Sequence, residues 1–138
     1  MERPLPKLSN EKFEIISLSL VLNYVPDAIA RGEMLKRTLQ FLRTPLGESE
    51  EELQTVFPAL FLVLPAPCVS NSRYMDEPKL EAIMTSLGYA KVHKKLSNKL
   101  VYYLFRAVDL TPKAKREPFK KIEMRAGGAR NNFAIILK

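Results

Sequence analysis

The run Phe13-Glu14-Ile15-Ile16-Ser17-Leu18, answered further on by Phe57-Pro58-Ala59-Leu60-Phe61-Leu62-Val63-Leu64, decides the fold. Both runs are short and apolar, and neither alternates strictly with polar residues. That pattern belongs to strands buried on both faces, as in a parallel sheet. The second strand is expected over 59–64. Parallel neighbours need a crossover, and residues 33–43 supply one. Met34, Leu35, Leu39, Phe41 and Leu42 recur at helical spacing among Lys36, Arg37, Gln40 and Arg43. The basic residues near its end suit the helix dipole, and Thr44-Pro45 stops it. Residues 1–12, with Pro4 and Pro6, read as a loop, and residues 46–54, with Glu48, Glu50, Glu51 and Glu52, as an acidic linker.

Beyond Pro65 and Pro67 a loop runs to Tyr74, and a helix follows. Asp76 caps it, Pro78 lies in its first turn, and Leu80, Ile83, Met84 and Leu87 form one apolar face. Gly88 is placed to end it in the left-handed conformation. Strands are expected over 91–96 and 100–107, joined by a hairpin turn at Ser97-Asn98. Phe119–Met124 and Asn132–Leu137 read as a final strand pair around Gly127-Gly128. The order begins βαβα and ends in an antiparallel pair, an α/β pattern with a mixed sheet and right-handed crossovers.

A length of 138 residues allows one domain. Hydrophobic residues make up 46% and charged residues 27%, a globular composition. One cysteine, Cys68, forms no internal disulfide, and with the one histidine, His93, it cannot build a zinc site of about four N/S ligands. The apolar stretch Ile15–Leu22 is too short to cross a membrane. Glu2, Glu11 and Glu14 do not suit a signal peptide. The expectation is a soluble, intracellular protein with no metal and no membrane partner. The five glycines, at 32, 47, 88, 127 and 128, fit neither a P-loop nor a Gly-x-Gly-x-x-Gly turn, and there is no Gly-x-Ser-x-Gly nucleophile elbow.

Charge is uneven along the chain. Residues 1–90 carry a net −3 and residues 91–138 a net +10, within a total of +7. The cationic peak is Lys113, Lys115, Arg116, Lys120, Lys121, Arg125 and Arg130, with Phe119 as its aromatic residue. Such a segment suits phosphate contact and hence nucleic acid. A solvated lysine-rich face is the alternative.

In a doubly wound sheet, ligands meet the carboxyl ends of the strands. The first such end offers Ser17, Leu18 and Ser19, with Leu22 and Asn23 on the following turn. Backbone groups and hydroxyls there suit a polar ligand head. The plainer alternative is that the two serines satisfy local backbone groups. The second end leads into Cys68, Asn71, Ser72, Arg73 and Tyr74. A planar base can stack on Tyr74 and a phosphate can meet Arg73. Otherwise this is a surface loop with Tyr74 packed on the next helix. No base stands near to activate Cys68, which reads as an inert thiol, and His93, among Lys91, Lys94 and Lys95, reads as exposed.

Several spaced blocks carry a family resemblance. They are Glu2-Arg3-Pro4-Leu5-Pro6, Phe13 to Pro26, Arg31-Gly32-Glu33-Met34-Leu35, Phe61 to Pro65, Asn71-Ser72-Arg73-Tyr74, Ser86-Leu87-Gly88-Tyr89 and Arg130-Asn131-Asn132-Phe133-Ala134-Ile135. Over essentially its whole length the chain resembles the fungal nucleolar 25S ribosomal RNA adenine-N1 methyltransferases. The resemblance implies a Rossmann-like class I domain, S-adenosylmethionine as methyl donor, 25S ribosomal RNA or a pre-ribosome as partner, and a nucleolar location. It aligns residues 1–107 with the C-terminal half of that domain, from its fourth strand onward, and leaves 108–138 as a basic extension on or beside the sheet. The family's glycine motif and its ribose-binding acidic residue belong to the first half, which makes truncation, or a separately encoded N-terminal half as partner, the expectation. On this reading Asn23 and Tyr74 hold the base, Ser17 to Ser19 touch the cofactor, and Arg73 with the basic tract grips the RNA. A non-catalytic S-adenosylmethionine sensor or RNA-binding module of the same fold is the alternative, and an inactive remnant is a third.

Overall fold

The computed structural model describes residues 12–43, 56–109 and 118–138. The expected N-terminal loop up to Glu11, the acidic linker, the Thr44-Pro45 stop, and Lys113, Lys115 and Arg116 lie outside the described residues.

Four strands form one sheet: β1 (Ile15–Ser19), β2 (Ala59–Pro65), β3 (Tyr89–Leu96) and β4 (Leu100–Ala107). Their order is β1-β2-β4-β3. β1 runs parallel to β2, with Ile15 opposite Ala59 and Ser19 opposite Val63. β4 runs antiparallel to both β2 and β3. Three helices follow the strands: α1 (Ala28–Phe41), the single turn α2 (Pro67–Ser70) and α3 (Glu77–Leu87). The α/β class and the mixed sheet are therefore present.

The expected helix over 33–43 is longer at its start. Asp27 has extended backbone and its side chain accepts from the Ile29 N–H, so α1 begins at Ala28, and it ends at Phe41. The Gly32 position in its second turn hid that start, because glycine weakens a helical pattern. Glycine is there for space: a Cβ would lie 2.0 Å from the Ile136 carbonyl oxygen. α3 follows the expectation closely. The Asp76 side chain accepts from the Lys79 N–H, and Gly88 closes the helix at φ 101°.

β2 has the continuous burial its sequence indicates. β1 does not: Leu18 is buried, but Ile15, Ser17 and Ser19 are exposed. Among the described residues it is an edge strand, so its pairing and its faces are only half covered there. The final strand pair is absent too. Phe119 and Leu137 form one isolated antiparallel bridge, and the residues around them take no strand. The segment instead sends apolar side chains inward: Phe133, Ile135 and Leu137 join Leu35, Leu60, Leu62, Met84 and Phe105 in the core.

α1 and α3 meet the sheet face that carries Tyr89 and Tyr103. Thr38 of α1 lies 2.7 Å from the Tyr89 hydroxyl, and the Tyr103 hydroxyl donates to Glu77 of α3 at 3.2 Å. Burial raises both phenol pKa values above the ordinary range. Lys94 at 2.5 Å and Lys91 at 3.6 Å close an ion-pair group around Glu77.

Candidate functional site

The parallel strands end side by side, and a cleft of about 840 Å³ opens beyond them. Its first wall grows out of β1. Leu20 takes φ 58°, a conformation that costs a branched residue energy and is typical of functional turns. Leu22 then plugs into the core, and Leu22–Tyr24 form one 3₁₀ turn. The turn presents Asn23 to the cleft, where its Oδ1 is buried and accepts no hydrogen bond. A buried amide oxygen without a protein donor is costly, and a donor from a water or a ligand relieves that cost.

Arg31 of α1 lies in the same cleft. Its Nε donates to the Val25 carbonyl at 2.9 Å and its Nη1 to the Ala134 carbonyl at 2.8 Å. Burial draws its pKa down, against the opposing pull of Cys68 and Asp27. Cys68 itself is buried, and burial pushes its thiol up to about 11 despite Arg31. It is an inert thiol at neutral pH, as expected.

The second wall joins the loop after β2 to the C-terminal tail. Asn71 to Tyr74 and Arg130 to Phe133 lie against each other, with a parallel bridge between Ser72 and Asn131. The buried Ser72 hydroxyl donates to the Phe133 carbonyl at 2.5 Å. Asn131 donates from Nδ2 to the Pro67 carbonyl at 2.7 Å and accepts from the Phe133 N–H at 2.9 Å. Arg130 donates to Asn71 Oδ1 at 3.0 Å.

The guanidinium groups expected at phosphates are occupied by the fold. Arg73 donates to Asn132 Oδ1 and, at 2.6 Å, to the Gly127 carbonyl. Arg125 reaches the Ser72, Met75 and Val69 carbonyls at 3.1, 3.3 and 3.5 Å. Lys120 and Lys121 are exposed. Lys121 lines the cleft while its ammonium sits 4.3 Å from the centre of the Tyr74 ring. Tyr74 thus stands outside the cleft, linked to it through Lys121. Ser17 and Ser19 face solvent at the end of β1, and the Leu18 side chain belongs to the core. His93 is exposed. Among the described residues no group of three His, Cys, Asp or Glu side chains is arranged for a metal, and no helix is long and apolar enough to cross a membrane.

A family model described as 25S rRNA (adenine(2142)-N(1))-methyltransferase, Bmt2, matches residues 1–135. The chain belongs to the Bmt2 family. It is 39% identical to the 25S rRNA (adenine(2142)-N(1))-methyltransferase of Saccharomyces cerevisiae over 137 residues, which are 99% of this chain and 37% of that protein. It is 42% identical to the 25S rRNA adenine-N(1) methyltransferase of Schizosaccharomyces pombe over 123 residues, 89% of this chain and 42% of that one. The chain spans about two fifths of the length of these curated relatives.

Within this Bmt2-family segment, residue-by-residue reading missed part of the cleft: Asp27, Arg31, Asn131, Asn132 and Phe133 line it too. Arg31 and the Asn131-Asn132-Phe133 run stand inside the blocks that carry the resemblance, and that was the available signal. The glycines of the segment also test the fit of S-adenosylmethionine. The Gly32 and Gly88 Cβ positions are filled by backbone carbonyls of Ile136 and Asp109, so neither glycine makes room for a ligand. Ser17 and Ser19 are exposed at the end of β1 and do not line the cleft.

Proposed function

We propose that this segment forms the base-binding side of a Rossmann-like class I methyltransferase that acts on N1 of an adenine in 25S ribosomal RNA. Membership of the Bmt2 family supports the reaction class, and the parallel pair followed by an antiparallel pair supports the fold. The observation that carries the reading is the unpaired Oδ1 of Asn23 at the carboxyl ends of β1 and β2. An adenine offers the matching donor, its exocyclic amine.

S-adenosylmethionine, when bound, supplies an electrophilic methyl on a sulfonium. The residues here do the rest of the positioning. Asn23 Oδ1 accepts from the adenine N6 amine and so fixes where N1 points. N1 attacks through its lone pair, which requires the base to be unpaired or flipped out of a helix. No strong base is needed, because neutral adenine N1 carries no proton; alignment and water exclusion do the work. Ser17 and Ser19, with the Leu18 backbone, touch the cofactor's edge. Lys121, held at the cleft wall by Tyr74, meets the phosphate beside the target. Lys120, together with Lys113, Lys115 and Arg116, extends that grip along the RNA, with Arg73, Arg125 and Arg130 acting by docking the tail. A nucleolar site of action, on a pre-ribosome, fits this substrate.

The test uses an enzyme of the relatives' full length that carries this segment, with unmodified 25S ribosomal RNA. Asn23→Ala is expected to lower methyl transfer by about 10-fold or more, the scale of one buried hydrogen bond, with an unfolding temperature no lower than wild type. A variant that methylates at the wild-type rate removes Asn23 from the site.

A further inference from the structure

We infer that Arg31 is a positioning residue that ties the Asn23 turn to the C-terminal tail, so that the base side of the cleft takes shape only when residues 131–137 are docked. Its guanidinium spans the two walls. Nε holds the Val25 carbonyl, two residues beyond Asn23, at 2.9 Å, and Nη1 holds the Ala134 carbonyl at 2.8 Å. The same group lies 4.8 Å from the centre of the Phe133 ring. A planar fork suits this task, because it fixes two acceptors in one geometry, whereas an ammonium is a point charge that fixes neither direction.

The tail is brought to Arg31 by contacts that Arg31 does not make. Gly32, the next residue, lets the Ile136 backbone lie against α1, and the Ile136 N–H donates to the Ala28 carbonyl at 3.0 Å. Ser72 fixes the Phe133 carbonyl from the other side. The Asn23 turn, by contrast, has among the described residues two backbone bonds of its own, from the Tyr24 N–H to Val21 and the Val25 N–H to Leu22 at 3.0 and 3.3 Å, with Leu22 as its anchor in the core. Arg31 is therefore the polar side chain that bonds the docked tail to the Asn23 turn. The consequence for methyl transfer rests on the function proposed above; the clamp itself does not.

The experiment compares wild type, Arg31→Lys and Arg31→Gln in the full-length enzyme. It follows amide hydrogen exchange of residues 22–26 and 131–137, kcat and KM for unmodified 25S ribosomal RNA, and the unfolding temperature. Both variants are expected to exchange about 10-fold faster in both segments together. They are also expected to lose kcat by a similar factor with KM nearly unchanged, because the lysine grip on RNA is intact. Arg31→Lys is expected not to rescue. Phe133→Leu keeps both carbonyl bonds and removes the ring contact; it is the milder variant should Arg31→Gln not fold, with about 3-fold faster exchange in both segments. Faster exchange in the tail alone, or a fall in unfolding temperature with kcat of the folded enzyme unchanged, would overturn the clamp. A wild type that transfers no methyl group refutes the proposed function and leaves the exchange data to decide the clamp. Normal wild-type transfer with uncoupled exchange refutes the clamp alone.

Discussion

Cys68 stands in the wall of a cleft that sequence reading could place but not furnish. Its thiol is pushed up to about 11 by burial, from an ordinary 9.0. The folded state therefore favours the neutral form, and the stability this contributes is complete below pH 9 and is lost as pH rises towards 11. Denaturant titrations between pH 8 and 11 should show stability falling with pH, and Cys68→Ala should reduce that fall, leaving the part due to the buried phenols of Tyr89 and Tyr103. Iodoacetamide should label Cys68 slowly at pH 8 in the folded protein and quickly after unfolding. That much chemistry was legible, because a lone thiol without a neighbouring base is inert on any fold. The fate of the arginines was not. Arg73, Arg125 and Arg130 count as phosphate ligands in a charge tally, yet their partners are mostly backbone carbonyls. A sequence records the cations and conceals which carbonyls the fold leaves without donors.

At the scale of elements, apolar period and caps located α3 and β2 almost to the residue, since both signals are local. The C-terminal segment reads as two strands around Gly127-Gly128, but short runs about a turn signal do not say whether a backbone partner exists. Here Phe133, Ile135 and Leu137 face the core while the backbone bonds to α1 and to the loop after β2. Gly32 is the joint between that tail and α1. A methyl group there would lie 2.0 Å from the Ile136 carbonyl oxygen, and backbone on both sides leaves it no easy escape. Gly32→Ala would gain helix propensity worth under about 1 kcal/mol. The overlap should cost more than that, about 1–3 kcal/mol net, as overpacking does. Chemical denaturation should show a lower midpoint with an unchanged slope. A midpoint equal to or above wild type would mean that the tail does not sit on α1 in solution.

For the molecule as a whole, the two faces of the sheet are unequal. One carries Leu60, Leu62, Leu64, Val101, Tyr103 and Phe105 and is closed by α1, α3 and the tail. By strand alternation the other carries Ile15, Ser17, Phe61, Tyr102 and Leu104. Ile15 there is 47% exposed, and Phe61 and Tyr102, stacked 6.2 Å apart, are half-buried. The sequence reads β1 as buried on both faces, whereas among the described residues it lies at a sheet edge with Ile15, Ser17 and Ser19 exposed. An edge strand with apolar neighbours is a template for association. Lysines guard the opposite edge: Lys91, Lys94 and Lys95 on β3 disfavour pairing there. Association should therefore run through β1 and the half-buried face. This segment expressed alone should show a mass by sedimentation that rises from monomer towards dimer and beyond with concentration. Ile15→Lys should shift that rise to higher concentration, whereas Leu96→Lys, on the guarded edge, should not. A wild-type segment that stays monomeric at millimolar concentration would show that the β1 side is already satisfied within the chain.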